Sequence, residues 1–445
     1  MSHSTNPTPP LIKGNFFFGH LLDAKKEGIN FYFKLFKSHG DAMTLKMAHK
    51  TFYLFLNPKY YREILVDKPD LFIKGKQYDS LRLVLGNGLL TSEGNDWQKQ
   101  RRLLNPIFGK EGMDVLQSHI ERVTTHFIES KIPLDQEFNW TKLMFDYTLE
   151  VAIESFFGKN FDDKSKDLFA EHCAVAIRFI SKRMSNPLAP PLYFPTKDNR
   201  EFKKSLLHIK TLIGNIYDSK KLKIKKGDRP DDLLDLLIEA NLDRNEVWDQ
   251  IISFLIAGHE TTALTMSWLF YLLAQNPEYQ NKIFDEGIEK NFEFENSLSL
   301  SNYPMLNSIL NETMRLYPAG WIISRDIAED TTVGLFEVKK GNAIAISPLI
   351  THRDERFWKN ANDFIPERFF EGHELLNTAP KNAYLPFSIG RRNCIGARFA
   401  ILEMNLFCLG FFKKYRVSTS SSNVGMKGFV TLKPDKPIKI KASLF

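Results

Sequence analysis

A largely apolar stretch of about 30 residues, from Asp243 to Asn276-Pro277, reads as one helix, and at 1.5 Å per residue it would be about 45 Å long. That length is enough to cross a whole domain, so the remaining elements have to be arranged around it. With 445 residues, 43% of them hydrophobic, the chain can bury a core of that depth. Asp243 marks the start: its carboxylate can cap the first turn, and Glu246 stands three positions later, an arrangement related to a capping box. The middle, Ile256-Ala257-Gly258-His259-Glu260-Thr261-Thr262, is unusual for a buried span, because two small residues are followed by an acid and two hydroxyls. Either a polar patch meets a neighbouring helix there, with Thr261 bonding back to a carbonyl and bending the helix, or the stretch is a site.

A second helix is predicted from Pro304, suited to a first helical turn, to Leu316, ahead of Pro318. The first half is mostly helical by pattern. Its exception is Ala42 to Leu56, where two short apolar stretches around Ala48-His49-Lys50 predict a hairpin. Further strands are expected from Trp321 to Ser347, broken by Gly334 and Gly341, and from Lys427 to Ala442. Ser185-Asn186-Pro187 through Pro195-Thr196, and Lys221 to Pro230, read as loops between helices. There is no internal repeat.

Three cysteines, Cys173, Cys394 and Cys408, make neither a secreted disulfide framework nor the paired spacing of a zinc site, which points to a reducing, cytoplasmic setting. The N-terminal residues carry no basic segment leading into a long apolar run; Asn15-Phe16-Phe17-Phe18 is too short for a signal peptide or a spanning helix. A net charge of +7 permits an acidic partner, yet the cations are spread along the chain with no nucleic-acid motif beside them. A basic docking face fits this distribution better than DNA binding does.

Two further patterns carry chemistry. Glu312 and Arg315 share a helix face, and Pro366-Glu367-Arg368-Phe369 offers a second guanidinium for the same carboxylate. By default such a pair is solvated surface decoration. Cys394 lies in Phe387-Ser388-Ile389-Gly390-Arg391-Arg392-Asn393-Cys394-Ile395-Gly396, ahead of a run that reads as a helix. A lone cysteine is usually a small buried hydrophobe. Here two glycines and a cation surround one sulfur and leave little bulk where a flat macrocycle can lie, so the thiolate is a candidate ligand for haem iron.

Taken in order, these motifs resemble the cytochrome P450 family of haem-thiolate monooxygenases across almost the whole chain. The resemblance rests on Ala257 to Thr262, Glu312 to Arg315, Pro366 to Phe369 and Phe387 to Gly396, with Trp97-x-x-x-Arg101 as a fifth match. It implies a mainly α fold, a triangular helical domain with a small β-rich region, as a single domain over 1–445 in place of the two or three that length suggests. Haem b would lie between the long helix and the helix that follows Cys394.

The resemblance also assigns roles. Cys394 would be the axial thiolate, favoured over thiol by the dipole of the following helix, and its electron donation favours O–O cleavage. Phe387 would shield the loop, with Gly390 and Gly396 allowing close approach and a tight turn. Trp97, Arg101, Arg392 and Arg325 would hold the propionates, since a guanidinium matches a carboxylate. Ala257 and Gly258 would leave room for oxygen, with Thr261 as hydrogen-bond donor and Glu260 as proton relay. Glu312, Arg315 and Arg368 would form a buried network supporting the cysteine loop.

Electrons would come from a ferredoxin or flavodoxin with its reductase, steered by Lys99, Arg102, Arg391 and Arg398. The chain is expected to be a cytoplasmic monomer with no membrane anchor and no nucleic-acid partner. The substrate positions are Tyr78, Leu89, Leu90, Phe254, His259, Trp321, Ile322, Ile323, Phe429 and Val430, a mostly apolar set. The expected activity is hydroxylation of a C–H bond in a small organic substrate, by default a lipid or terpenoid. Trp321 and Tyr78 also suit stacking on a sugar, which keeps oxidative O-demethylation of a methoxy sugar as a minority reading. A peroxide-using haem-thiolate enzyme and a non-catalytic haem-binding protein are the competing classes; Glu260-Thr261 disfavours the first.

Overall fold

The computed structural model describes residues 6–48, 50–75, 78–158, 163–185, 190–226, 228–292, 303–370 and 379–445. They form two compact units, one from Met1–Lys76, Pro304–Cys394 and Ser422–Lys436, the other from Gln77–Tyr303, Ile395–Ser421 and Pro437–Phe445. Each unit draws on three separate stretches of chain.

The first unit is organised by a five-stranded sheet in the order Ala42–Met47, Lys50–Phe55, Ala343–Ile346, Ile323–Ile327, Phe72–Ile73. The first two strands are the expected hairpin, paired from Ala42↔Phe55 to Met47↔Lys50. Ala48 takes a positive φ of 52° at the turn, and His49 lies outside the described residues. Ala343–Ile346 is buried at every position and lies between a parallel and an antiparallel neighbour, a place that suits its short apolar sequence. Gly334 and Gly341, at φ of 57° and 80°, make the expected breaks. Tyr53, Phe55, Tyr61, Phe72 and Ile344 form part of the core under this sheet.

The second unit is helical and contains the long helix, Arg244–Gln275. Its cap is a full capping box: Asp243 Oδ1 accepts from the Glu246 N–H at 2.9 Å, and Glu246 Oε2 accepts from the Asp243 N–H at 2.9 Å. Trp140–Phe157 packs beside it, with the Trp140 and Phe270 rings 4.3 Å apart. Helix Ala397–Phe412 adds Phe407 and Phe411 to Phe270, at 5.6 and 5.1 Å. The stretch from Lys221 to Pro230, expected as a loop, is helical as far as Lys225, the end of helix Lys197–Lys225. Lysine is a good helix former, and Lys221 gains a hydrogen bond to Tyr217 Oη at 3.1 Å one turn back. Among the described residues, no helix is long and apolar enough to cross a membrane.

Candidate active site

The cysteine loop is closed by its own backbone. The Cys394 N–H donates to Phe387 O at 2.9 Å, and Asn393 N–H to Gly390 O at 3.1 Å. This fold forces Ser388 and Gly390 to φ of 60° and 76°. A Cβ on Gly390 would sit 2.2 Å from Leu65 O, so glycine is needed there for both conformation and space. Cys394 is exposed, whereas Cys173 and Cys408 are buried and their thiols are pushed well up by burial. Gly396 differs from Gly390: its φ is −86°, and a Cβ there would meet nothing within 4 Å. Helix Ala397–Phe412 starts one residue later.

The loop is held from behind by a buried network in the same unit. Arg315 donates to Glu312 through Nε at 2.6 Å and Nη2 at 2.8 Å, a bidentate pair. Arg368 Nε reaches Glu312 Oε1 at 3.2 Å, and the Ile365 N–H joins it at 2.9 Å. All three charged side chains are fully buried. Arg315 also donates to the carbonyls of His352, Ala361 and Asp363, at 2.6, 2.7 and 3.0 Å.

His352, which sequence reasoning missed, carries this network to the loop. Its Nδ1 faces Arg315 O at 3.1 Å, and its Nε2 accepts the Leu385 N–H at 2.9 Å. The second bond requires a bare Nε2, so the ring is neutral with its proton on Nδ1. Burial, and then the Arg315 charge, push its pKa down to about 3. Leu385 O then accepts the Ser388 N–H at 3.3 Å, at the start of the cysteine loop.

In the second unit the centre of the long helix is open. Ile256, Ala257, Gly258 and Thr261 are accessible within a helix otherwise buried along most of its length, and a Cβ on Gly258 would meet no atom within 4 Å. The Thr261 hydroxyl donates back to Ala257 O at 2.7 Å, and Glu260 is buried beside it. Leu89 is brought to the same helix, its N–H donating to Gln250 Oε1 at 3.0 Å, while the Asn87 N–H donates to Asp249 Oδ2 at 2.9 Å. A Cβ on Gly88 would lie 2.2 Å from Ser253 Oγ, so glycine permits that contact. Phe254 follows one residue on, its ring edge-to-face with Phe108 at 5.0 Å. Phe108 and Gln250 are further residues that the motifs did not reveal. Tyr78 precedes helix Asp79–Leu85, and Leu90 is half-buried. Trp97 is buried and Arg101 half-buried, one turn apart on helix Gly94–Leu104.

His259 is directed elsewhere. Its Nε2 donates to Phe145 O at 2.9 Å and its ring packs on Phe145 at 5.2 Å, and burial pushes its pKa down. It is engaged by helix Trp140–Phe157, not by the open stretch, contrary to the expectation of a pocket residue.

Trp321 is a second correction. It is buried among Ile29, Leu349 and Leu432, its Nε1 donates to Phe429 O at 2.8 Å, and Tyr32 meets it edge-on at 5.4 Å. A Cβ on Gly428 would come within 2.7 Å of the indole, so no face remains for stacking a sugar. The same bond brings the last hairpin, Met426–Gly428 with Leu432–Pro434, to the segment after Pro318, and leaves Phe429 and Val430 exposed at its tip. Ile322 and Ile323 are half-buried against the sheet cores.

The fit to a haem propionate is clearest at Arg325. This arginine is only 7% exposed, it donates to Ser324 O at 2.8 Å, and among the described residues it forms no ion pair. Asp326, the next residue on the strand, pairs with Lys50 at 2.7 Å. A buried guanidinium without a carboxylate is costly unless an anion arrives. Arg392 is half-buried beside the cysteine. Of the four cations read as a docking face, Lys99 pairs with Glu246 and Arg391 with Asp70. Arg102 and Arg398 are exposed.

Comparison with known proteins places this geometry. A cytochrome P450 family model matches residues 9–442, and the chain belongs to that family. Cytokinin hydroxylase of Arabidopsis thaliana is 32% identical over 78% of this chain and 70% of its own. Cyclooctat-9-en-7-ol 5-monooxygenase of Streptomyces melanosporofaciens is 28% identical over 90% and 87%. The crystal structure of the cytochrome P450DA heme domain superposes with a TM-score of 0.85 at 22% identity, covering 98% of both chains, and shares the fold. The chain is a P450 monooxygenase with a haem-thiolate iron cofactor, and it works with a redox partner, a substrate and dioxygen.

Proposed function

We propose that haem b binds with Cys394 as its axial thiolate, that Arg325, Arg101, Arg392 and Trp97 hold its propionates, and that the enzyme hydroxylates a C–H bond of an apolar lipid or terpenoid. The observation that carries this reading is the open stretch from Ile256 to Thr261 on an otherwise buried helix, apolar at Ile256, Ala257 and Gly258 with one hydroxyl at Thr261. Leu89, Leu90, Phe254 and Phe108 extend that apolar character within the same unit. Ile322, Ile323, Phe429 and Val430 are apolar positions of the first unit. The relative named for cyclooctat-9-en-7-ol supports a substrate of this kind. The burial of Trp321 takes away one of the two aromatic rings on which demethylation of a methoxy sugar relied and leaves Tyr78 alone for it.

When bound, the haem-thiolate supplies dioxygen activation and C–H oxidation. The chain does the rest. The closed loop fixes the Cys394 sulfur at the start of a helix, whose N-terminal dipole favours the thiolate. Phe387 and the glycines Gly390 and Gly396 keep side-chain bulk and water off that face. Ala257 and Gly258 leave space on the long helix. Thr261 Oγ1 holds its proton toward Ala257 O and releases it when a better acceptor is presented. Glu260, buried one position away, restores that proton from solvent.

A ferredoxin or flavodoxin with its reductase supplies the electrons, with Arg102 and Arg398 as the exposed cations that steer it. The chain acts as one catalytic domain over 1–445, a cytoplasmic monomer. The test is a substrate panel of terpenoids, fatty acids and methoxy sugars, scored for a low-to-high-spin shift and then for product with dioxygen and an electron-donor pair. Turnover of an apolar ligand supports the proposal. A shift and formaldehyde release only with methoxy sugars, or product only with added peroxide, would overturn it.

A further inference from the structure

Three consecutive phenylalanines stand out on the first unit. Phe16, Phe17 and Phe18 are 92%, 78% and 48% exposed. The turn that carries them is firmly built. Asn15 and Gly19 exchange both backbone hydrogen bonds at 2.9 Å, and Asn15 Oδ1 accepts from the N–H groups of Phe17 and Phe18 at 3.0 and 3.2 Å. Phe18 O accepts from the N–H groups of Leu21 and Ala48, both at 3.1 Å, and the His20 N–H donates to Lys46 O at 2.7 Å. Gly19 has φ of 56°, and a Cβ on it would lie 2.1 Å from Lys46 O, so the turn is pressed against strand Ala42–Met47. An ordered turn that holds three aromatic rings in water forgoes their burial unless something covers them.

We propose that this turn is a peripheral docking element for an anionic lipid bilayer. Leu21 and Leu22, on the short helix Leu21–Glu27 that follows, are also exposed. Close to them in the chain are the exposed cations Lys13, Lys25 and Lys26, against the exposed acid Asp23; Glu27 is paired with Lys34 at 2.7 Å. Exposed apolar side chains with an excess of exposed lysines in the same short stretch of chain match the acyl boundary and the phosphate layer of an anionic membrane. The Phe16 and Phe17 rings protrude almost fully exposed and stand at 89° to one another. A protein partner would need a pocket cut to that shape, whereas a bilayer accepts any protruding apolar surface. Contact would be peripheral, since among the described residues no helix can span a membrane. This docking stands whatever the substrate proves to be.

The test is cosedimentation of the haem-loaded full chain with vesicles of phosphatidylcholine alone and of equal parts phosphatidylcholine and phosphatidylglycerol. Binding to the anionic vesicles is expected, falling by about tenfold or more in Phe16→Ser/Phe17→Ser/Phe18→Ser. It should also fall with added salt and in Lys13→Glu/Lys25→Glu/Lys26→Glu. An unchanged reduced carbon-monoxide spectrum in both variants establishes that they are folded. In a third variant, Phe17→Trp should add a fluorescence component quenched by brominated lipid. No binding by the native chain, equal binding by the serine variant, or a soluble dimer that the serine variant abolishes would each overturn the proposal.

Discussion

Replacing Glu312 with alanine removes the acceptor shared by three groups. In the structure its carboxylate takes Arg315 Nε at 2.6 Å, Arg315 Nη2 at 2.8 Å, Arg368 Nε at 3.2 Å and the Ile365 N–H at 2.9 Å. Two guanidinium groups, both fully buried, would be left without their only carboxylate among the described residues. Breaking a buried pair from one side costs about 3–5 kcal/mol, and two stranded cations place this variant toward the upper end. A domain's whole stability is about 5–15 kcal/mol, so little folded, haem-loaded protein should remain. Arg368 identifies the source of the cost. Among the described residues its Nη1 has no hydrogen-bond partner, so once Glu312 is gone its buried charge is left uncompensated and draws water inward. Glu312→Ala/Arg368→Met should therefore be more stable than the sum of its single changes by about 1–3 kcal/mol. Urea midpoints followed by far-ultraviolet circular dichroism and by the Soret band measure this. A Glu312→Ala variant with the wild-type midpoint and full haem content, or strict additivity in the double variant, would refute the reasoning.

Three further outcomes are expected. His352 is fully buried and neutral, with its pKa depressed to about 3 against an ordinary 6.5, so its contribution is present above pH 6.5 and lost as pH falls toward 3. Between pH 7 and pH 5 it should account for about 2 kcal/mol of lost stability, measured as the difference between the wild type and His352→Gln; equal pH slopes in the two would contradict the assignment. Thr261→Ala should keep haem and substrate binding but divert electrons into hydrogen peroxide, lowering product per reductant consumed, and unchanged coupling would remove Thr261 from proton delivery. Arg325→Leu should fold at least as well without haem as the wild type, since the buried cation is gone, yet retain haem less tightly. Undiminished haem affinity, measured by transfer to an acceptor globin, would show that Arg325 does not meet a propionate.

The long helix was legible because its cap, length and end are all local. Asp243, Glu246 and Asn276-Pro277 bound it, and the structure runs from Arg244 to Gln275. Glu312 and Arg315 were legible as a pair but not as a buried one, since spacing gives the shared face and only tertiary packing excludes the water. His352 left no signal: it acts through Arg315 O and the Leu385 N–H, backbone groups 37 and 33 residues away, and backbone partners leave no trace in residue type. Trp321 and His259 show the opposite error. Both are residue types that suit a pocket, but Gly428 admits the indole to the core and Phe145 O captures the imidazole, and neither contact is local in sequence. Phe16 to Phe18 were plain to read as too short for a membrane span. That they are held out by a pinned turn becomes visible only with the strand beside them.

The central claim is that Cys394 is the iron ligand, and the reduced carbon-monoxide spectrum tests it most directly. The wild type should show the thiolate-type Soret shift, and Cys394→His should bind haem yet lose that shift, because Cys173 and Cys408 are buried with thiols held protonated. A thiolate-type band that survives in Cys394→His, or one that never appears in the wild type, would contradict the account.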